Sequence, residues 1–232
     1  MKILLATSNP HKLQEIRDIF EQCAAQAPAA QGQPARRLPT LISLADLDAS
    51  LPEPVEDGDT FEANAVKKAS HYAKAANLPC LADDSGLEVD ALGKEPGVRS
   101  ARYAGAHGPR AQVDQANNKL LLERLGDTPP SQRTARFVCA MALAFPQQDR
   151  PPIVVRGIIE GRIITPDQAD DPQHPHRGRG ANGFGYDPLF WVPQLGKTTA
   201  QLSPQQKNAI SHRGQAARQM FKVLEQLGWI ER

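Results

Sequence analysis

The segment Leu81-Ala82-Asp83-Asp84-Ser85-Gly86-Leu87 places two adjacent carboxylates directly after an apolar run, Leu78 to Ala82. Acids delivered by a strand end into a loop suit metal-assisted chemistry, because the strand fixes the acid and the loop leaves room for substrate. Neighbouring carboxylates repel, and they coexist when a cation or a basic side chain stands beside them. Read blandly, Asp-Ser-Gly is ordinary turn chemistry. Upstream, Glu56 lies in the acidic run Glu53-Pro54-Val55-Glu56-Asp57-Gly58-Asp59. Glu56 with Asp83 and Asp84 would suit Mg²⁺, which takes few carboxylates and completes its shell with water and substrate phosphates. The alternative for Glu56 is exposed, solubilising charge.

Two further constellations could bind a nucleotide. Thr7-Ser8-Asn9-Pro10-His11-Lys12 follows a short apolar run and precedes a helical pattern. A strand-to-helix turn offers free N–H groups and the positive end of a helix dipole, while hydroxyls, an amide and Lys12 add donors for phosphate oxygens. A plain N-cap is the alternative. Farther on, Phe184-Gly185-Tyr186-Asp187 combines with Lys207 and Ile210-Ser211-His212-Arg213. An aromatic ring can stack on a base, and Asp, Lys, His and Arg can bond its edge. Equally, Lys207 and the His-Arg pair could be surface residues of the last helix.

The elements that must position these residues follow from periodicity. Lys2 to Ala6 reads as a strand. Leu13, Ile16, Phe20 and Cys23 recur at helical spacing, with Asn9 as N-cap and Pro10 in the first turn. Ala24 to Arg37, rich in Ala, Gln and Pro, reads as a surface insertion. Asp59 with Glu62 forms a capping-box pattern for a second helix, whose inner stripe is Phe61, Ala65, Ala69 and Tyr72. Asn64 and Lys68 lie beside that stripe, facing either a cleft or solvent. Leu78 to Ala82 and Leu87 to Ala91 read as two short strands, Gln115 to Leu125 as a helix, and Arg136 to Phe145 and Ile153 to Ile164 as strands. Gly157 and Gly161 suggest bulges or bends in the last of these. Thr165 to Gly183 is a long loop. Ser203-Pro204-Gln205-Gln206 starts a helix expected to run on through Leu227.

Composition bounds the class. The chain has 232 residues, of which 40% are hydrophobic, with a net charge of +1 from 27 basic and 26 acidic residues. Such a balance speaks against a duplex-DNA binder, which needs surplus Lys and Arg to displace counterions. Cys23, Cys80 and Cys139 form no CxxC pair and read as small apolar residues, not as a disulfide framework or a zinc site. Neither a signal-peptide core nor a membrane-spanning run is evident, so the expectation is a cytoplasmic protein. No linker separates independent domains, and residues 1–232 are expected to form one domain.

Two motifs mislead. Gly178-Arg179-Gly180-Ala181-Asn182-Gly183 is a literal GxGxxG, but a Pro/His loop precedes it and Pro188 and Pro193 follow, so no helix can start there to receive a dinucleotide. Gly196-Lys197-Thr198 ends like a P-loop, yet position 191 is Trp where the first Gly is needed.

Taken in order, six blocks resemble the inosine triphosphatase family, also described as dITP/XTP pyrophosphatases. They are Leu5 to Lys12, Thr60 to Ala65, Ala82 to Leu87, Gly97 to Tyr103, Gly183 to Phe190 and Lys207 to Gly214. Ser8 stands where many members have Gly. The resemblance implies Mg²⁺-dependent hydrolysis of deaminated purine nucleoside triphosphates (ITP, dITP, XTP) to monophosphate and pyrophosphate. It implies an elongated α/β fold with a mixed sheet, two lobes and a central cleft, and a homodimer. Carried to matching positions, Asp84 would be general base and metal ligand, and Glu56 the second ligand. Thr7, Ser8, Asn9, Pro10, His11 and Lys12 would hold the triphosphate. Ser85, Phe184, Gly185, Tyr186, Asp187, Lys207, His212 and Arg213 would complete the nucleotide site. A base whose pKa a metal pulls down is weak at neutral pH, so activity should favour alkaline conditions. The alternatives are a pyrophosphatase for other modified nucleotides and a non-catalytic nucleotide- or RNA-binding module.

Overall fold

Lys2–Leu5 (β1) is a short apolar strand with three of its four residues buried, and such a strand needs neighbours on both edges. It finds them in Thr40–Ser43 (β2) and the start of Cys80–Val89 (β3), both parallel to it, with Leu4 opposite Ile42 on one side and Cys80 on the other. The computed structural model describes residues 1–7, 9–26, 37–47, 51–147 and 150–230. Ser8 and most of the stretch expected as an insertion therefore lie outside the described residues.

Four more strands complete the set: Thr134–Ala144 (β4), Ile153–Ile163 (β5), and the short pair Phe190–Val192 (β6) and Lys197–Thr198 (β7). The sheet runs β2-β1-β3-β4-β5-β6-β7. β5–β6 and β6–β7 are antiparallel, so the sheet is mixed. Helices Pro10–Gln26 (α1), Phe61–Ala76 (α2), Arg110–Leu125 (α3), Pro204–Ile210 (α4) and His212–Gln226 (α5) flank it, giving the expected α/β class.

The chain divides into two compact units. The first holds residues 1–84, 139–157 and 212–232, and the second holds 85–138 and 158–211. In the first, Ile3, Leu5, Ile16, Ile19, Phe20, Met141, Leu143, Met220 and Phe221 form one core, with Phe20 and Phe221 edge to face at 5.8 Å. In the second, Leu87, Val89, Leu121, Leu125, Ile163, Leu189 and Phe190 form another. Cys80 and Cys139 are buried thiols and Cys23 is half-buried, all three unpaired by disulfides, as their spacing implied.

Several boundaries differ from the sequence reading, each for a physical reason. α2 is capped by Thr60, not Asp59: Thr60 is extended (φ −131°, ψ 153°), which aims its hydroxyl at the Ala63 N–H. α3 begins five residues earlier than its apolar pattern, because its first turn is solvent-facing. Gly157 and Gly161 both lie within β5. A Cβ on Gly157 would stand 2.0 Å from the His212 carbonyl oxygen, so glycine is there for close backbone approach. The expected single last helix is two, broken at Ser211, whose ψ of 157° ends α4 before α5 starts. The break falls where the chain passes from the second unit to the first, so each half buries its own stripe. The largest correction concerns Asp83-Asp84-Ser85-Gly86, which make no turn. β3 runs unbroken from Cys80 to Val89 with every residue buried or half-buried. Sheet pairing and burial outweigh the local turn preference of Asp, Ser and Gly.

Candidate active site

Because β3 continues, successive side chains alternate faces, and the two acids acquire different surroundings. Both are buried, Asp83 at 2% exposure and Asp84 at 8%. Asp83 receives Lys12 Nζ at 3.0 Å and the Arg213 guanidinium at 3.3 Å. Arg213, itself buried, also pairs with Glu15. Burial alone would raise the Asp83 carboxyl, but the charges of Lys12, Arg213 and Lys68 outweigh it and hold the group well below the usual carboxylate range. Asp84 shifts the opposite way. Burial raises it, Glu56 adds to the rise, and the amide of Asn64 with the charges of Lys12 and Lys68 only partly compensates. Adjacent carboxylates with pKa values driven apart are the usual mark of divided roles, one structural anion and one group able to accept a proton.

α2 supplies the rest of this cluster. Asn64 is buried and donates through Nδ2 to Asp84 Oδ2 at 3.0 Å. Lys68 reaches Glu56 at 2.8 Å and the Asp83 carbonyl at 3.4 Å, and its ammonium is favoured by Glu56 despite burial. Both face inward, which settles the ambiguity of their position beside the apolar stripe. Among the described residues no group of three or more His, Cys, Asp and Glu could hold a metal, so no all-protein cage exists there. The donor chemistry is compatible with Mg²⁺: Glu56 and Asp84 carry hard oxygen donors whose mutual repulsion a cation would relieve, and such a cation takes water and phosphate for the rest of its shell.

The turn before α1 is partly self-satisfied. Thr7 Oγ1 accepts from Asn9 N–H at 3.1 Å and Asn9 Oδ1 from His11 N–H at 3.0 Å, with Pro10 opening the helix. The described part is thus a sound N-cap that directs Lys12 onto Asp83. Ser85 follows Asp84 in β3, half-buried.

In the second unit Lys207 is buried, not a surface residue. Its Nζ meets Asp187 Oδ2 at 2.7 Å and lies 4.8 Å from the centroid of Phe184. Asp187 also accepts from Phe184 N–H and Thr199 Oγ1, so its acceptors are fully directed. Gly183 abuts this carboxylate, where a Cβ would stand 2.2 Å from Oδ2. The literal GxGxxG is therefore a packing device, and no helix follows it. Tyr186 turns its hydroxyl inward to the Ser100 carbonyl at 2.9 Å. The block from Lys207 to Arg213 splits: Lys207 joins Phe184 and Asp187, whereas Arg213 and the buried His212 belong to the first unit.

Three buried polar residues of α3 were missed from the sequence. Asp114 accepts from Gly185 N–H at 2.9 Å, Asn118 donates to the Gly185 carbonyl at 3.1 Å, and Asn117 bonds Ser100 and Ala104. Their spacing relative to Val113, Leu121 and Leu125 places them on the inner face, a signal that helical periodicity carries.

A sequence profile of the Ham1 family matches residues 3–223. The chain belongs to the Ham1 family. It is 43% identical to the dITP/XTP pyrophosphatase of Lactobacillus acidophilus over 97% of this chain and 98% of that protein. It is 40% identical to the Vibrio cholerae dITP/XTP pyrophosphatase over 97% of each. Among solved structures, a Ham1 protein from Coxiella burnetii superposes with a TM-score of 0.77 at 39% identity, covering 97% of this chain and 99% of that one. The Staphylococcus aureus Ham1 protein gives 0.74 at 39% identity, with 97% and 98% covered. The resemblance to dITP/XTP pyrophosphatases read from the six blocks thus extends over nearly the whole chain.

Proposed function

We propose that this protein hydrolyses deaminated purine nucleoside triphosphates, ITP, dITP and XTP, to the monophosphate and pyrophosphate. The observation that carries the reading is the split pair on β3, Asp83 paired through Oδ2 with Lys12 and Arg213, and Asp84 bonded to Asn64 and raised by burial. The names of the relatives from Lactobacillus acidophilus and Vibrio cholerae support the substrate class.

Asp84 orients a water and takes its proton as the oxygen attacks the α-phosphorus. The bond from that phosphorus to the bridging oxygen breaks, and pyrophosphate leaves. Asp84 and Glu56 would hold Mg²⁺, which neutralises phosphate charge. The turn from Thr7 to Lys12 would face the phosphates, Lys12 sharing its charge with Asp83, which Arg213 also holds from α5, and His212 would help complete the nucleotide site. Ser85 lies next to the base. Phe184 offers a stacking face, and Lys207, held by Asp187, offers a donor to a 6-oxo purine, while Gly185 and Tyr186 fix the loop.

The working unit in this reading is one domain of residues 1–232, cytoplasmic and homodimeric, with no nucleic-acid or membrane partner. Near-balanced charge supports the lack of a nucleic-acid partner, and among the described residues no helix is long and apolar enough to cross a membrane. The test is pyrophosphate release from ITP, XTP, GTP and ATP, each with and without Mg²⁺, with sedimentation of the same preparation. Mg²⁺-dependent turnover of ITP and XTP is expected. Turnover confined to a modified pyrimidine triphosphate would replace the substrate class, and binding without turnover would remove the enzyme.

A further inference from the structure

Asn64 makes three hydrogen bonds, one to the Asp84 carboxylate and two to the backbone of Gly58, two residues after Glu56. Through Nδ2 it donates to Asp84 Oδ2 at 3.0 Å and to the Gly58 carbonyl at 3.3 Å, and its Oδ1 accepts from Gly58 N–H at 2.8 Å. The side chain is 1% exposed. One amide therefore closes on both polar groups of Gly58, two residues after Glu56, and simultaneously on the carboxylate of Asp84. An amide is suited to this, because its oxygen and nitrogen satisfy an N–H and a C=O of one residue and still leave a second N–H for an anion. Aspartate would lack the donors and repel Asp84, and leucine would satisfy none of the three.

The segment carrying Glu56 has little else of regular structure to define it, lying between β2 and α2 without strand or helix from Leu51 to Gly58. Asn64, by contrast, sits on the first turns of a helix whose cap is made and whose stripe is buried. Gly58 is matched to this anchor: a Cβ there would stand 2.7 Å from Asn64 Oδ1 and 3.0 Å from Ala63 Cβ.

We infer that Asn64 is a positioning residue for the reaction, setting Asp84 directly and Glu56 through the Gly58 peptide, so that the two carboxylates meet a divalent cation at a fixed spacing. This rests on the pyrophosphatase reading above. Partners that orient metal-binding carboxylates typically change metal affinity or activity by roughly 10- to 100-fold when removed.

The experiment compares full-length wild type, Asn64→Ala and Gly58→Ala, each stripped of metal by chelation. Three quantities are read: Mn²⁺ binding by calorimetry without nucleotide, pyrophosphate release from ITP across a Mg²⁺ series, and the thermal midpoint. Asn64→Ala should weaken Mn²⁺ binding by roughly 10- to 100-fold and lower kcat even at saturating Mg²⁺. Gly58→Ala, whose Cβ would press on Asn64 Oδ1, should weaken Mn²⁺ binding and lower kcat in the same direction as Asn64→Ala. A lowered midpoint with a wild-type Mn²⁺ isotherm and wild-type kcat in Asn64→Ala would make Asn64 merely structural and overturn the inference. Should Asn64→Ala fail to fold, a wild-type isotherm for folded Gly58→Ala overturns it alone. If the wild type binds Mn²⁺ yet releases no pyrophosphate from any triphosphate, the pyrophosphatase reading falls, and the isotherms still decide the role of Asn64.

Discussion

Asp84 bonds to a neutral amide and Asp83 to two cations, so substitution should separate them. Asp84→Asn keeps the size and an acceptor for Asn64 but removes the charge. Turnover should fall by at least ~10²-fold, a usual contribution from a positioned acid or base, while the thermal midpoint at neutral pH holds or rises because a carboxylate disfavoured by burial is gone. Near-wild-type turnover with a lowered midpoint would make Asp84 structural. Asp83→Asn should do the reverse to stability. It leaves Lys12 and buried Arg213 short of their counter-charge, and breaking such a pair costs about 3–5 kcal/mol. Since the folded Asp83 carboxyl is held below its unfolded value of about 3.9, its contribution is complete above that value and is lost as pH falls through the folded one. Thermal midpoints measured from neutral to strongly acid pH should therefore drop more steeply for wild type than for Asp83→Asn. Equal slopes would mean that the pairs add nothing to folding.

At the scale of elements, the working parts are held by helices through polar groups on otherwise apolar faces. α2 does this with Asn64 and Lys68, and α3 with Asp114, Asn117 and Asn118. The Gly185 peptide is held on both sides, N–H by Asp114 and C=O by Asn118, which fixes the loop that brings Phe184 and Asp187 to Lys207. Asn118→Ala removes one side. The Gly185 carbonyl is half-buried, and losing its hydrogen bond costs about 1 kcal/mol, so the midpoint should fall. KM for ITP should rise more than kcat falls, because the loop proposed to meet the base, not the proposed hydrolytic acid, is loosened. A fall in kcat alone, with KM unchanged, would contradict that assignment of the loop.

For the whole molecule the discriminating property is selection among triphosphates. A 6-oxo purine presents an acceptor where adenine presents a donor, and Lys207 is a donor already committed on one side to Asp187. Sites with directed buried donors can reject the wrong edge by as much as ~10⁴-fold, since their own groups would otherwise go unpaired. The ratio of kcat/KM for ITP over ATP should accordingly be large in wild type and fall at least ~10-fold in Lys207→Met, which keeps the apolar stem and removes the ammonium. An unchanged ratio would move base selection elsewhere in the chain.

The strands β1, β4 and β5, the apolar stripes of α1 and α2, the capping box at Ser203 and the residue types of the site were all legible in the sequence. They rest on local periodicity and local hydrogen bonding, which a linear reading contains. Family membership was legible too, because six blocks occur in fixed order. Other features depended on neighbours distant in the chain. Nothing local makes Asp83-Asp84-Ser85-Gly86 a strand; pairing within the sheet does. Nothing local distinguishes Asp83 from Asp84; Lys12 and Arg213, 71 and 130 residues away by their numbers, hold one, and burial beside Asn64 sets the other. Lys207 reads as a solvated basic residue until Asp187 is seen 2.7 Å from it. Charge pairing in a buried environment is decided by distance in space, and that is why the chemistry of these acids belongs to the tertiary structure while their identity belongs to the sequence.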